Sequence, residues 1–191
     1  MKPVCLVRYG EISLKGPLTR YLMEKKLAEA IAFILKRKGI PFEDIKLIRG
    51  RIVVYTKHHE EASSIISRVF GVTSTSPAWE ISKDFKELED AVLKLFSSMV
   101  REGASFAVRA RREDKSYPLT SLEIQRKLGA SILAHFKNSH GISVDLEHPD
   151  IEVYVEIRLT NAYIYSKVVG GVGGLPYTTS CLLYTSPSPR D

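Results

Sequence analysis

The feature that most constrains the fold is the order of apolar patterns along residues 1–81. Short apolar runs typical of strands alternate with two stretches in which apolar residues recur at the helical period. Glycine and proline residues stand between these runs, where the chain has to turn. From the N-terminus, the predicted elements are strand 2–9, helix 17–38, strands 45–48 and 52–55, helix 62–70 and strand 72–81. This order is the split β-α-β or ferredoxin-like pattern.

A second mixed unit is predicted for residues 82–168. Its pattern gives a helix from residue 84, a strand from 106, a helix over 121–138 and a short extended piece at 144–146. Two alternating strands at 151–159 and 162–168 follow, around the turn residues Thr160 and Asn161. The predicted fold class is therefore α+β, with a ferredoxin-like N-terminal domain at 1–81 and an α/β domain at 82–168.

The composition changes after residue 168. Four glycines fall between residues 170 and 174, which predicts that 169–180 is a flexible linker to a further domain. The last eleven residues, CLLYTSPSPRD at 181–191, lack a helix or strand period, and their Ser-Pro steps oppose a helix. The string also reads as the translation of a transposase sequencing adapter. We interpret 181–191 as an artefact tail; the alternative is an unstructured natural tail.

Charge and composition narrow the class of partner. The formal net charge is +6, which favours a polyanionic partner without establishing one. No run of eighteen apolar residues and no signal-peptide pattern are present, so we expect no membrane contact and a cytoplasmic location. Cys5 and Cys181 lack the spacing of a disulfide framework or a zinc site, and Cys5 is expected to be a buried thiol.

Basic side chains follow one face of the strand that begins at residue 106. Apolar residues occupy positions 106, 108 and 110, whereas Arg109 and Arg111 occupy the alternate face, about 7 Å apart. Guanidinium groups match the oxygens of a phosphate. Because no nucleotide-binding loop is present, the pair predicts contact with a nucleic acid backbone. The alternative is a solvated strand edge.

A helix start follows this strand. Thr120 and Glu123 have the spacing of a capping box, and the first amide groups of such a helix are expected to be free to bind an anion. Tyr117 lies just before, where it either stacks on a base or packs against the protein. The candidate RNA-binding residues of this region share a positive charge near the strand or the helix start: Arg109, Arg111, Arg112, Lys115, Arg126 and Lys127.

A second candidate contact lies at the first turn of the chain. Arg8, Lys15 and Arg20 flank this turn, and Gly10 and Gly16 bracket it, so that the backbone can bend sharply. The three basic residues either bind a second phosphate or serve the turn alone.

The sequence shows no catalytic constellation. The glycines at 170–174 do not precede a lysine and a serine or threonine at P-loop spacing, and the five histidines lack ligand spacing. We therefore predict no catalytic residue, no metal site and no cofactor in this chain.

Several segments together carry a family resemblance. They are VRYGEISLKG at 7–16, GRIVV at 50–54, VFGVTSTSPA at 69–78, FAVRARREDKSYPLTSLEI at 106–124, PDIEVYVEIR at 149–158, AYIYS at 162–166 and GGLPYTTS at 173–180. In this order they resemble the N-terminal part of the tRNA 4-thiouridine synthase family, the tRNA sulfurtransferases also linked to thiamine biosynthesis.

The resemblance implies a ferredoxin-like domain followed by a THUMP domain, which hold the acceptor stem and 3′ end of tRNA. It further implies that uridine 8 is thiolated in a C-terminal pyrophosphatase-loop domain, which uses ATP, Mg²⁺ and a sulfur-donor protein. The intact protein is either a monomer or a homodimer. Arg109, Arg111, Arg112 and Lys115 match the family's THUMP basic motif, so RNA contact is expected of these four.

Departures from the family pattern leave enzymatic activity open. The SGGxDS loop, the catalytic cysteine and any rhodanese domain do not occur in this sequence, so we expect no activity from the chain alone. The residues at 17–20, PLTR, replace an Asn-Arg pair common in bacterial members. The alternatives are another THUMP enzyme, such as a tRNA methyltransferase or pseudouridine synthase, a stand-alone RNA-binding module, and an interaction domain without RNA affinity.

Overall fold

The structure is a computed structural model that describes residues 1–176. The chain divides into two compact units. One contains Val4–Pro77 together with residues 168–176, and the other contains Met1–Pro3 and Ala78–Lys167. The predicted tail at 181–191 and the end of the predicted linker, 177–180, lie outside the described residues.

The first unit has the predicted order of elements. They are β1 (Lys2–Tyr9), a 3-10 helix (Glu11–Leu14), α1 (Pro17–Arg37), β2 (Asp44–Ile48), β3 (Arg51–Tyr55), α2 (His59–Ile66) and β4 (Val72–Ile81). The strand order is β2-β3-β1-β4, and β3 pairs antiparallel with both β1 and β2. The ferredoxin-like prediction is confirmed.

The core of this unit follows from the apolar stripes of its helices. Leu27, Ile31 and Leu35 on α1 are fully buried, as are Ala62 and Ile66 on α2. They pack against buried side chains of β1 and β3, which alternate at the strand period. Helix α2 ends four residues earlier than predicted, because the amides of Arg68 and Val69 donate to carbonyl oxygens three residues back and form a tighter turn there.

The second unit is also a mixed one. It contains α3 (Phe85–Ser97), β5 (Ser105–Arg112), α4 (Ser121–His140), β6 (Ser143–Val144), β7 (Ile151–Ile157) and β8 (Ala162–Tyr165). The strand order from β4 is β4-β8-β7-β5-β6. Strand β5 runs parallel to β7, whereas β7 and β8 form the predicted antiparallel hairpin.

Helices α3 and α4 supply one side of the core of the second unit. Leu88, Val92 and Phe96 of α3 and Ile124 and Leu128 of α4 pack with alternate residues of the strands. Both helices begin at a side-chain cap: Asp84 accepts from two backbone amides of α3, and Thr120 forms the predicted capping box with Glu123. Because the helices cover one face, the other residues of β5 project from the opposite face.

The glycine-rich segment returns to the first unit, unlike the flexible linker that its composition predicts. Strand β9 (Val169–Gly170) pairs antiparallel with β4. The amide groups of Gly171, Val172 and Gly173 then donate to carbonyl oxygens of Thr73, Ser67 and Val72, at 2.8, 3.1 and 2.7 Å. A Cβ atom at Gly171 would lie 2.3 Å from the Val72 carbonyl oxygen, so only glycine allows this approach.

Candidate nucleic-acid interface

Arg109 and Arg111 lie on the face of β5 that the helices leave uncovered. In the parallel register they pair with Tyr154 and Glu156 of β7, whose side chains share that face. Arg111 is exposed, and its side chain makes no hydrogen bond or ion pair with any other described residue. Its guanidinium group can therefore bind an external anion without first breaking a contact.

Arg109 differs, because part of its guanidinium fork is occupied. Its Nε lies 3.0 Å from Oε1 of Glu152, and its Nη2 donates to the Leu146 carbonyl oxygen at 2.6 Å. The pKa of Glu152 is lowered, first by the hydroxyl group of Tyr154 and then by Arg109. The Arg109 side chain keeps 39% of its surface exposed. It therefore holds Glu152 and the Leu146 carbonyl oxygen while part of its positive charge remains accessible to solvent.

Arg112 holds the loop that connects β5 to α4. Its Nη1 donates to the carbonyl oxygens of Tyr117 and Leu119 at 3.0 and 3.3 Å, and its backbone amide donates to the Ser121 hydroxyl group. RNA contact by Arg112 stays a prediction, but the position of its guanidinium group is explained by these carbonyls.

Further contacts hold the same loop from the neighbouring elements. The Lys83 ammonium group lies 2.9 Å from Oδ2 of Asp114. The backbone carbonyl oxygen of Lys83 accepts from the Tyr117 hydroxyl group, also at 2.9 Å. Hydrogen bonds from Ser116 and the charge of Lys83 lower the pKa of Asp114 to about 2. Tyr117 is buried, with 9% of its surface exposed, so it packs against the protein rather than offering its ring for stacking.

Lys115 is the residue that this fixed loop presents outward. It lies between Asp114 and Ser116, which bond to each other, yet Lys115 is exposed and has no side-chain partner in the described chain. A cation on a pre-ordered loop loses little conformational entropy when it binds a phosphate.

The start of α4 differs from the expected free anion site. The carboxylate of Glu123 accepts from the backbone amide of Thr120 at 2.7 Å, and the Thr120 hydroxyl group accepts from the Glu123 amide at 3.3 Å. The Thr120 amide and the Thr120 hydroxyl group both donate to this carboxylate, and these two bonds lower the pKa of Glu123. Because a carboxylate already occupies this end of the helix, a phosphate there would face a negative charge.

Arg126 and Lys127 are exposed on α4. The Lys127 ammonium group lies 5.5 Å from the centre of the Phe85 ring, a cation–π arrangement that leaves the charge accessible. Together with Arg111 and Lys115, they are the predicted RNA-binding residues of this unit that the structure leaves exposed.

Two of the three basic residues of the first turn form hydrogen bonds within their own unit. Arg8 donates to the Ser76 hydroxyl group at 2.9 Å, and Arg20 donates to the carbonyl oxygens of Ser13 and Lys15 at 2.6 and 3.2 Å. Lys15 is exposed. Neither bracketing glycine has a positive φ; Gly10 instead allows the close approach of Thr73, since a Cβ would meet its Cγ2 at 3.0 Å. RNA contact by Arg8, Lys15 and Arg20 stays a prediction.

Sequence reasoning missed the partners of the cations. Lys83, Glu152 and Arg158 stand 31, 43 and 45 positions from Asp114, Arg109 and Glu113, which they contact, and no local pattern marks these pairs. The Arg158 side chain, 8% exposed, donates to the carboxylates of Glu113 and Glu156. A single arginine at the end of an apolar strand is the only signal that could have suggested a buried ion pair there.

Groups that could carry covalent or metal chemistry are few in the described part of the chain. No cluster of three or more His, Cys, Asp or Glu side chains there could hold a metal ion. Cys5 is fully buried, and burial raises the pKa of its thiol to about 12. None of the helices between residues 1 and 176 has the length and apolar character needed to cross a membrane.

Comparison with known proteins identifies both units. Residues 4–76 match the ThiI ferredoxin-like domain, and residues 82–167 match the THUMP domain. A probable tRNA sulfurtransferase of Thermococcus kodakarensis is 39% identical over 180 residues, which cover 92% of this chain and 46% of that protein. The chain thus spans about half the length of such relatives.

Two solved structures have the same fold at substantial identity. PH1313 from Pyrococcus horikoshii Ot3 is 40% identical with a TM-score of 0.81, over 91% of this chain and 57% of that one. A 4-thiouridine synthetase solved in complex with RNA and bound ATP is 29% identical with a TM-score of 0.73, over 92% of this chain and 44% of that one. The chain therefore belongs to the tRNA sulfurtransferase family and corresponds to its N-terminal part, a ThiI ferredoxin-like domain followed by a THUMP domain.

Proposed function

We propose that this chain is the tRNA-binding part of a tRNA sulfurtransferase and that it holds the acceptor stem and 3′ end. The observation that carries the proposal is the pair of exposed, unpartnered cations Arg111 and Lys115, which stand on a rigid strand and an anchored loop. A 4-thiouridine synthetase of the same fold was solved with RNA, which supports a nucleic acid as the ligand.

Binding would depend on charge and shape more than on base identity. Phosphate contacts release counterions and supply affinity without reading sequence. A-form RNA offers its backbone and 2′-hydroxyl groups across a shallow minor groove, which suits cations on a sheet face and a loop. Arg109 and Arg112 contribute by holding Glu152 and the loop carbonyls, so that Arg111 and Lys115 keep their positions.

We assign thiolation itself to the part of the related tRNA sulfurtransferases that this chain does not cover. In that proposal, uridine 8 becomes 4-thiouridine in an ATP- and Mg²⁺-dependent reaction fed by a sulfur-donor protein, and the protein acts in the cytoplasm, as a homodimer. The residues described here do not fit ATP or Mg²⁺, because they include no phosphate loop and no cluster of metal-ligating side chains. No catalytic step is therefore assigned to them.

The rival functions are less well supported. The match to the ThiI ferredoxin-like domain and the 36–39% identity to probable tRNA sulfurtransferases favour thiolation over methylation or pseudouridylation. A stand-alone RNA-binding module would bind RNA equally well, so only the gene beyond codon 180 separates it from an enzyme fragment.

A gel-shift titration with transcribed tRNA at several salt concentrations tests the proposal. Arg111→Ala with Lys115→Ala should weaken binding by about 0.5–1 kcal/mol per cation and reduce the slope of log K against log salt by about one per cation. Lys86→Ala with Lys94→Ala, which removes two exposed cations of α3, is the matched control. Equal affinity and slope for all three proteins would reject the interface, and absence of any shift would reject RNA binding.

A further inference from the structure

An apolar groove lies between α1 and the end of α2, within the ferredoxin-like unit. Its volume is about 450 Å³, enough for several side chains of a ligand. Phe33 and Phe70 line it and remain 65% and 62% exposed, with Ile34 and Ile65 beside them. The core of the unit is completed by other side chains of the two helices, so its packing does not require the two phenylalanines. Grouped exposed aromatic side chains of this kind mark binding surfaces.

The wall that carries Phe70 is fixed before any partner arrives. Beyond α2 the chain forms a turn in which the Val69 amide donates to the Ile66 carbonyl oxygen at 3.0 Å. The glycine-rich segment holds this turn from outside, because Gly71 donates to Gly173 and Val172 donates to Ser67, at 2.7 and 3.1 Å. A pre-ordered wall reduces the entropy lost on binding.

The charges around the groove favour an acidic occupant. Lys38 and Arg68 line it, both are exposed, and neither side chain has a partner within residues 1–176. No carboxylate of residues 1–176 is among the side chains that line the groove. A second copy docked about a two-fold axis would place the same cations on both sides of the contact, where they would repel.

We propose that this groove binds an amphipathic helix of a partner protein that carries carboxylates beside its apolar face. Apolar side chains at helical spacing would enter between Phe33 and Phe70, and the carboxylates would pair with Lys38 and Arg68. This interaction is separate from tRNA binding and does not depend on it.

The test uses two synthetic helical peptides of about 18 residues, long enough to be helical in part. Both have leucine at helical spacing; one carries glutamates beside the leucines and the other carries lysines. Fluorescence anisotropy with the whole chain should show that the glutamate peptide binds at least ten times more tightly. Phe33→Ser with Phe70→Ser should weaken that binding at least tenfold. Leu14→Ser with Leu18→Ser, a pair 84% and 73% exposed elsewhere on the unit, should leave it unchanged.

A charge reversal makes the test specific. Lys38→Glu with Arg68→Glu should reverse the preference towards the lysine peptide, while thermal melting and tRNA affinity show that the protein is otherwise intact. The proposal is overturned if wild type does not prefer the glutamate peptide, or if the serine pair at Phe33 and Phe70 binds as wild type does. It is also overturned if the charge reversal leaves the preference unchanged, or if light scattering shows a dimer that the serine pair abolishes.

Discussion

The ammonium group of Lys83 lies 2.9 Å from Oδ2 of Asp114, and this ion pair joins residues 31 positions apart. The same ammonium group donates to the Leu159 carbonyl oxygen at 2.6 Å. Lys83 thus ties the loop between β5 and α4 to the turn of the β7–β8 hairpin. The position of Lys115, which is next to Asp114 in this loop, therefore depends on Lys83, a residue outside the basic motif.

Stability should depend on pH through Asp114. Its pKa is about 2 in the folded protein and near 3.8 when unfolded, so its stabilising contribution is present above pH 3.8 and is lost as the pH falls towards 2. Asp114→Asn should lower the melting temperature at neutral pH and make the loss below pH 3.8 shallower. Thermal melts followed by circular dichroism across this range measure both effects.

Asp90→Asn is the control for that experiment, because the Asp90 carboxylate is exposed and has no side-chain partner among the described residues. A parallel acid profile for Asp114→Asn and wild type would show that the loop is held by other contacts.

Arg109 and Arg111 should respond differently to replacement by alanine. Arg109→Ala removes hydrogen bonds to Glu152 and Leu146 and should cost about 1 kcal/mol of folding stability. Arg111→Ala removes no side-chain hydrogen bond or ion pair within the described chain, so it should leave stability unchanged and lower only tRNA affinity. Urea unfolding and tRNA titration of both variants separate the two roles; equal destabilisation by both would contradict the assignment.

Gly171 should be intolerant of a side chain. Its missing Cβ would lie 2.3 Å from the Val72 carbonyl oxygen, so Gly171→Ala should cost about 1–3 kcal/mol. Gly170→Ala is the matched control, because nothing lies within 4 Å of its missing Cβ. Hydrogen exchange should increase at Gly171 and Gly173, whose amides donate to β4, only in the first variant. Unchanged protection there would mean that the segment is not held by these bonds.

Cys5 should resist alkylation in the folded protein. The thiolate is the reactive form, and burial raises the pKa of this thiol to about 12. At about pH 8, iodoacetamide should modify Cys5 at least 100-fold more slowly than in denaturant. Mass spectrometry of the peptide that contains Cys5 follows the reaction, and rapid labelling under native conditions would show that β1 opens readily.

The sequence by itself determined the elements and their order. Helical and strand periods are local, so the buried stripe of Leu27, Ile31 and Leu35, and the cap at Thr120 and Glu123, can be read directly from spacing. The fold class followed from that order, and the family followed from the motifs.

Only the tertiary structure decided which cations are available. Arg109, Arg111 and Arg112 look equivalent in the sequence, yet Glu152 and Leu146 engage the first, and loop carbonyls engage the third. The composition of the glycine-rich segment likewise predicted a flexible linker, whereas its amides in the structure donate to carbonyl groups of β4 and of the turn after α2. The physical reason is that an ion pair or a hydrogen bond depends on distance in space. A sequence pattern reports neither partners far along the chain, such as Glu152 for Arg109, nor the path of a loop that brings its carbonyl groups back to Arg112.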